Sequence, residues 1–222
     1  MLAKVYSAAA QGVDATPVEV EVDLSPGIPK EQVVGLPDAA VKESLHRVRA
    51  ALTNTGYAWP FNKRVTINLA PADSRKEGPL YDLPIALATM AASEQLSTEK
   101  LDDYLYLGEL ALDGKLRPVK GALLFALVAK ELKKRGIFVP PENAQEAAVV
   151  DGIQVFAPAT LPEAAAMLNG LAMLEPVRID IADLFNRPSP EGALDLADVR
   201  GQEAVKRAIT IAAAGGHNLL ML

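Results

Sequence analysis

Residues 68–92 read "NLAPADSRKEGPLYDLPIALATMAA". Val65, Ile67 and Leu69 alternate into the start of this stretch and define a strand. The chain then crosses a loop bearing Gly and Pro and continues in an apolar helix from about Tyr81 to Glu94. Pro84 is tolerable there because it lies in the first helical turn. Asp82 is placed to cap that helix.

Upstream, Val18, Val20, Val22 and Leu24 alternate with Glu19, Glu21 and Asp23, as in a half-buried strand, and residues 1–12 supply a hairpin partner. The period then changes. Val41, Leu45, Val48 and Leu52 form one helical stripe, opened by Asp38 and closed by Gly56. Downstream, "YLYLGELALDGKLRPV" (residues 104–119) gives two strands joined through Asp113-Gly114. A helix follows with Leu124, Leu127, Val128 and Leu132 as its stripe, and then short strand, helix, short strand, helix. That alternation predicts an α/β (α+β) fold with helices packed on a mixed sheet. Residues 1–170 form the first domain, the proline-bearing 171–194 a linker, and 195–222 the start of a second unit. In that second unit a helix from about Gly201 to Ala214 precedes a buried strand at Asn218–Leu222.

Composition narrows the function. Half of the 222 residues are hydrophobic, enough for a sizeable core. There is no cysteine and there are two histidines, which excludes a disulfide scaffold and argues against a zinc site. No signal peptide and no apolar run of roughly 20 residues is present, so the expectation is a cytoplasmic protein with no membrane partner. A net charge of −6 argues against a general electrostatic clamp on nucleic acid. The densest basic cluster, Lys130, Lys133, Lys134 and Arg135, suits a solvated helix end. His46 and His217 have no visible partner and take no role.

Two resemblances add to this reading. "DVRGQEAVKRAITIAAAGGHNLLML" (residues 198–222) is similar to the entry segment of magnesium-chelatase-type AAA+ ATPases, in which a V-x-G-Q turn packs on adenine and "GGHNLLM" precedes the phosphate loop. The resemblance implies adenine-side contacts at Val199, Gly201 and Gln202. It further implies that the chain stops before the Walker A loop and is the N-terminal portion of a larger motor. ATP and Mg²⁺ then serve the full-length protein, and this piece alone is expected to bind no cofactor and to be inactive.

The "KEGPLYD" turn (residues 76–82), with "YLGELALDGKLRPVKGALL" about 25 residues beyond it, resembles the proteolytic domain of Lon peptidase. Lon carries a serine nucleophile and a lysine base, and a Ser-Lys dyad needs both side chains within hydrogen-bond reach. The resemblance places Leu80 at the serine position and Leu123 at the lysine position, so no catalytic residue remains and both are expected to have become core. Glu109 falls on a framework position. Ser74 with Lys76, or Lys120, offers a relocated dyad.

Together the two stretches resemble the YifB/ComM family of magnesium-chelatase-like ATPases. That resemblance implies a Lon-like domain followed by the first helix and strand of a P-loop AAA+ module. It further implies a ring, a hexamer, acting on DNA in competence and branch migration. The alternatives are a Lon-type peptidase with a moved dyad and a magnesium chelatase subunit.

Overall fold

The computed structural model describes residues 1–180 and 195–221. Strands β1 (Leu2–Gln11) and β2 (Asp14–Ser25) form the expected antiparallel hairpin, Val5 facing Val20 in register. Along β2 the four apolar side chains are buried and the acidic ones between them are half-buried, so the period-two pattern is one core face and one solvated face. β3 (Lys30–Val34) and β4 (Arg64–Ala70) extend the sheet on the far side of β2. β5 (Tyr104–Tyr106), β8 (Gly136–Phe138) and β9 (Gln154–Phe156) extend it from β1. The seven strands run β3-β4-β2-β1-β5-β8-β9 and are parallel except at the β1/β2 and β2/β4 pairs. The short hairpin β6 (Glu109–Leu110) and β7 (Leu116–Arg117) stands apart from this sheet, turning at Asp113-Gly114.

Helix α1 (Ala39–Asn54) buries Val41, Val48 and Leu52, and the Asp38 carboxylate accepts from the Val41 amide at 2.7 Å. Helix α2 (Asp82–Ala92) is buried on every side between α1 and the β1/β2 face. A helix apolar all round is stable in water only in such a place. It ends two residues before the expected Glu94, at Ala92.

Helix α3 (Ala122–Glu131) departs from its expected stripe. Its buried face is Ala122, Phe125, Ala126, Val128 and Ala129, whereas Leu127 is exposed. Close approach to the sheet is made by small side chains around one phenylalanine, and the longer leucines are turned outward or to the edge. The chain closes with α4 (Ala144–Ala147) and α5 (Leu161–Leu168), the latter capped by Thr160.

The chain divides into two compact units, Met1–Asp180 and Ile181–Leu222. Residues 171–180, expected as linker, lie in the first: the Val177 amide donates to the Val155 carbonyl at 2.8 Å, beside β9. The rest of the expected linker, 181–194, lies outside the described residues. In the second unit, α6 (Glu203–Gly215) forms where a helix was expected. The expected strand does not: His217–Met221 have no regular structure, and Leu220 is 81 % exposed. A strand needs a neighbour to hydrogen-bond, and none stands beside these residues among those described. Leu222 lies outside the described residues.

Candidate functional site

A cleft of about 550 Å³ opens between two walls, each made from one of the stretches that resemble a peptidase. On one wall stand Asp38 and the turn Gly78-Pro79-Leu80, on the other Pro118, Val119 and Lys120, with Ala9, Ala10 and Phe125 also lining it.

The Leu80 wall is held by two carboxylates, a buried lysine and a half-buried arginine. Asp38 caps α1 through one oxygen and accepts from the Gly78 amide at 3.1 Å through the other, tying the helix start to the turn. Gly78 takes φ +81, a conformation that favours glycine. The Leu80 carbonyl accepts from Gly108 at 2.9 Å, and the Gly108 carbonyl accepts from Leu83 at 3.0 Å.

Beneath the wall, Asp82 is fully buried and receives Arg47 Nε at 2.7 Å, Arg47 Nη2 at 3.0 Å and the Leu110 amide at 3.1 Å. Its expected capping role is therefore corrected: the carboxylate joins α1, α2 and β6. Its partner lies 35 residues away in sequence, beyond the reach of local pattern reading. Burial pushes the Asp82 carboxyl up, opposed chiefly by the Arg47 hydrogen bond, and the same bond holds the Arg47 guanidinium above its ordinary value.

Leu80 is buried, with 9 % of its surface exposed, and forms part of the wall. Leu123 is 36 % exposed, its amide donating to Glu146 Oε1 at 3.1 Å. The expectation that both positions are core thus fails at Leu123. With Ala122 and Phe125 inward, the 3.6-residue period turns position 123 outward.

Of the relocated-dyad candidates, Ser74 and Lys76 do meet, Nζ lying 3.0 Å from Oγ. Lys76 is fully buried, and burial lowers its pKa while Asp73 opposes the shift. The amine donates to Ser74 Oγ, to the Ser74 carbonyl at 2.7 Å and to the Pro71 carbonyl. Three donors meet three acceptors, so the ammonium staples the loop. A general base needs its lone pair free to take the serine proton. Lys120 lines the cleft, but among the described residues no serine, threonine or cysteine lines it with Lys120. The one hydroxyl among the described lining residues, Tyr81, donates to the Ala8 carbonyl at 3.2 Å, and burial pushes its phenol well up.

In the second unit, Val199 is 43 % exposed, Gly201 has φ +67, and Gln202 precedes α6 at φ +59. The chain bends at Val199 and Gly201 and then enters α6. The sequence has no G-x-x-x-x-G-K-[ST] loop, and no group of three His, Asp or Glu among the described residues could hold a metal ion. Among the described residues there is no phosphate loop to receive ATP. No helix among the described residues is long and apolar enough to cross a membrane.

Sequence comparison gives the class of protein in which the cleft stretches and the V-x-G-Q turn occur together, that of magnesium chelatase. Residues 20–143 match the family described as subunit ChlI of Mg-chelatase, and residues 195–222 match magnesium chelatase, subunit ChlI. YifB of Escherichia coli is 46 % identical over 227 residues, spanning 100 % of this chain and 42 % of its own. YifB of Salmonella typhimurium is 48 % identical over 222 residues, with the same two shares. The competence protein ComM of Haemophilus influenzae is 44 % identical over 221 residues, spanning 100 % of this chain and 43 % of its own. The chain belongs to the YifB/ComM family of magnesium-chelatase-like proteins, and it spans less than half the length of these relatives.

Proposed function

We propose that the chain is the N-terminal part of an ATP-driven, DNA-remodelling AAA+ motor. Its first unit is a Lon-like domain that keeps a peptidase cleft without the peptidase chemistry and serves as a platform for ring assembly or DNA engagement. The observation that carries this reading is the cleft itself: residues 77–80 and 118–120 line it together, and the one hydroxyl among its described lining residues is engaged with a backbone carbonyl. The family supports the motor, and the name of ComM ties that relative to competence. A ring repeats one subunit contact around an axis, so a compact domain can serve as a spacer or tie between neighbours. The hexamer, the DNA partner and the cytoplasmic location belong to the same proposal.

Phosphate and Mg²⁺ contacts fall, on this reading, to other parts of the longer protein. Adenine-side contacts at Val199, Gly201 and Gln202 alone leave little affinity. Millimolar Mg-ATP is expected to leave the melting temperature of this chain unchanged. The full-length protein is expected to hydrolyse ATP and to move a branched DNA junction. Full-length protein that hydrolyses ATP without acting on any DNA structure would remove the DNA arm of the proposal. Labelling of this chain by a serine-directed fluorophosphonate at Ser74 would instead establish the relocated peptidase.

A further inference from the structure

A second cavity, of about 350 Å³, shares no lining residue with the cleft. Its aromatic lining comes from parallel strands: Tyr104 of β5 and Phe156 of β9 meet edge to face, centroids 5.6 Å apart and planes at 87°. Met167 and Leu168 at the end of α5 form one side. From there the chain turns at Gly170 (φ +72), where the Gly170 amide donates to Met167 at 3.0 Å and the Leu171 amide to Ala166 at 2.8 Å. It then returns as residues 172–176 along the cavity, to the Val177–Val155 hydrogen bond. The loop bearing Lys100 is held against this turn, because the Ser97 amide donates to Asn169 Oδ1 at 2.9 Å.

Two cations line this space, a half-buried Lys100 and an exposed Arg135 at its rim, and neither is in an ion pair among the described residues. Lys100 forms no ion pair among the described residues, and its amine lies beside Gly170. Arg135 likewise forms no ion pair among the described residues, and its side chain donates to Gln154 Oε1 at 3.3 Å. Its backbone is fixed on both sides, the amide donating to Asp103 at 2.7 Å and the carbonyl accepting from Gln154 at 3.1 Å. Lys134, next to it, is spent elsewhere: it pairs with Asp102 at 2.9 Å and lies 3.6 Å from the Tyr6 ring centroid. Glu175 also lines the cavity, so its described lining carries two positive groups and one negative group.

The geometry points to a binding site for a small monoanion, an aromatic or branched apolar body ending in one carboxylate. The body fills the Tyr104, Phe156 and Met167 surface, and the carboxylate lies between Arg135 and Lys100. Pockets of this size commonly bind through an apolar lining with a few convergent polar groups. Arginine adds directional recognition of a carboxylate. Glu175 selects against a second negative charge.

The test is titration of the 222-residue chain, followed by amide NMR, with naphthoate, its neutral analogue naphthamide and the dianion phenyl phosphate. Naphthoate should bind saturably, with shifts centred on residues 100–104, 154–156 and 167–176, and more tightly than phenyl phosphate. Naphthamide should bind more weakly by about tenfold, the loss expected for a charge-assisted hydrogen bond. Arg135→Gln and Lys100→Gln should each weaken naphthoate, whereas Lys133→Gln, which changes the same net charge outside the cavity, should not. Absence of saturable binding, equal affinity for acid and amide, or equal effects of Lys133→Gln and Arg135→Gln would each overturn the proposal. Tighter binding of phenyl phosphate would overturn its single-charge selectivity.

Discussion

On the Leu80 wall of the cleft the polar fastenings are ionisable: Asp38 holds Gly78, Lys76 gathers the carbonyls of its own loop, and Arg47 with Asp82 anchors the helix below. On the facing wall the fastening is a neutral amide. Asn143 accepts from the Val119 amide at 2.9 Å and donates to the Val119 carbonyl at 2.7 Å, reproducing a backbone pair with a side chain. A buried charge that loses its partner is far more costly than a neutral group that loses one near water. The two walls should therefore differ in their response to truncation and to pH.

The largest effect expected is at the charged wall. Asp82→Ala should destabilise by about 3 kcal/mol, at the low end for a broken buried pair because Arg47 keeps 21 % of its side chain in solvent. Asn143→Ala should cost about 1 kcal/mol, since the freed Val119 groups can turn to water. Equal urea midpoints for the two variants would erase the distinction between the walls. Leu80→Ser comes next, at about 2 kcal/mol, because a hydroxyl replaces packed methyls where little water reaches. The same variant should gain no peptidase activity, a chromogenic peptide assay being the check.

Lys76 sharpens the comparison through pH. Burial lowers its folded pKa below the ordinary 10.5, so across that interval the unfolded chain binds more protons than the folded one. The Lys76 contribution to stability must then rise with pH through the interval and level off above 10.5. Relative to Lys76→Met, the wild-type urea midpoint should climb between neutral pH and that value, while Asn143→Ala should show a constant offset. A wild-type advantage that falls over the same range would mean that the loop carbonyls hold the ammonium more strongly than burial penalises it. The smallest effect is at Leu123→Lys, within about 0.5 kcal/mol, as for exposed positions generally. A loss as large as that of Leu80→Ser would put position 123 back in the core.

What was legible in the sequence followed local periodicity. The β2 alternation, the α1 stripe and the Asp38 cap are set by spacings within a few residues, and the structure contains all three. Leu80 and Leu123 mark the limit of that reading. The motif resemblance points to both positions, but whether a side chain faces inward depends on the phase of its own helix. In α3 that phase was misread because alanines, not leucines, make the close contact. The Arg47–Asp82 pair and the Val177–Val155 contact were illegible for a different reason, since each joins segments that only the completed topology brings together.

That last contact bears on where the chain can be cut. β9 is the outermost strand of the seven, and the segment at Val177 covers part of its open side. The opposite border, β3, presents Lys30 and Glu31, charges that discourage another strand from adding there. β9 is Gln-Val-Phe and has no charge of its own. A fragment trimmed at Gly170 would leave that apolar border bare, and the hazard is strand addition between molecules, seen as precipitation on concentration, where a fragment ending at Asp180 stays dispersed.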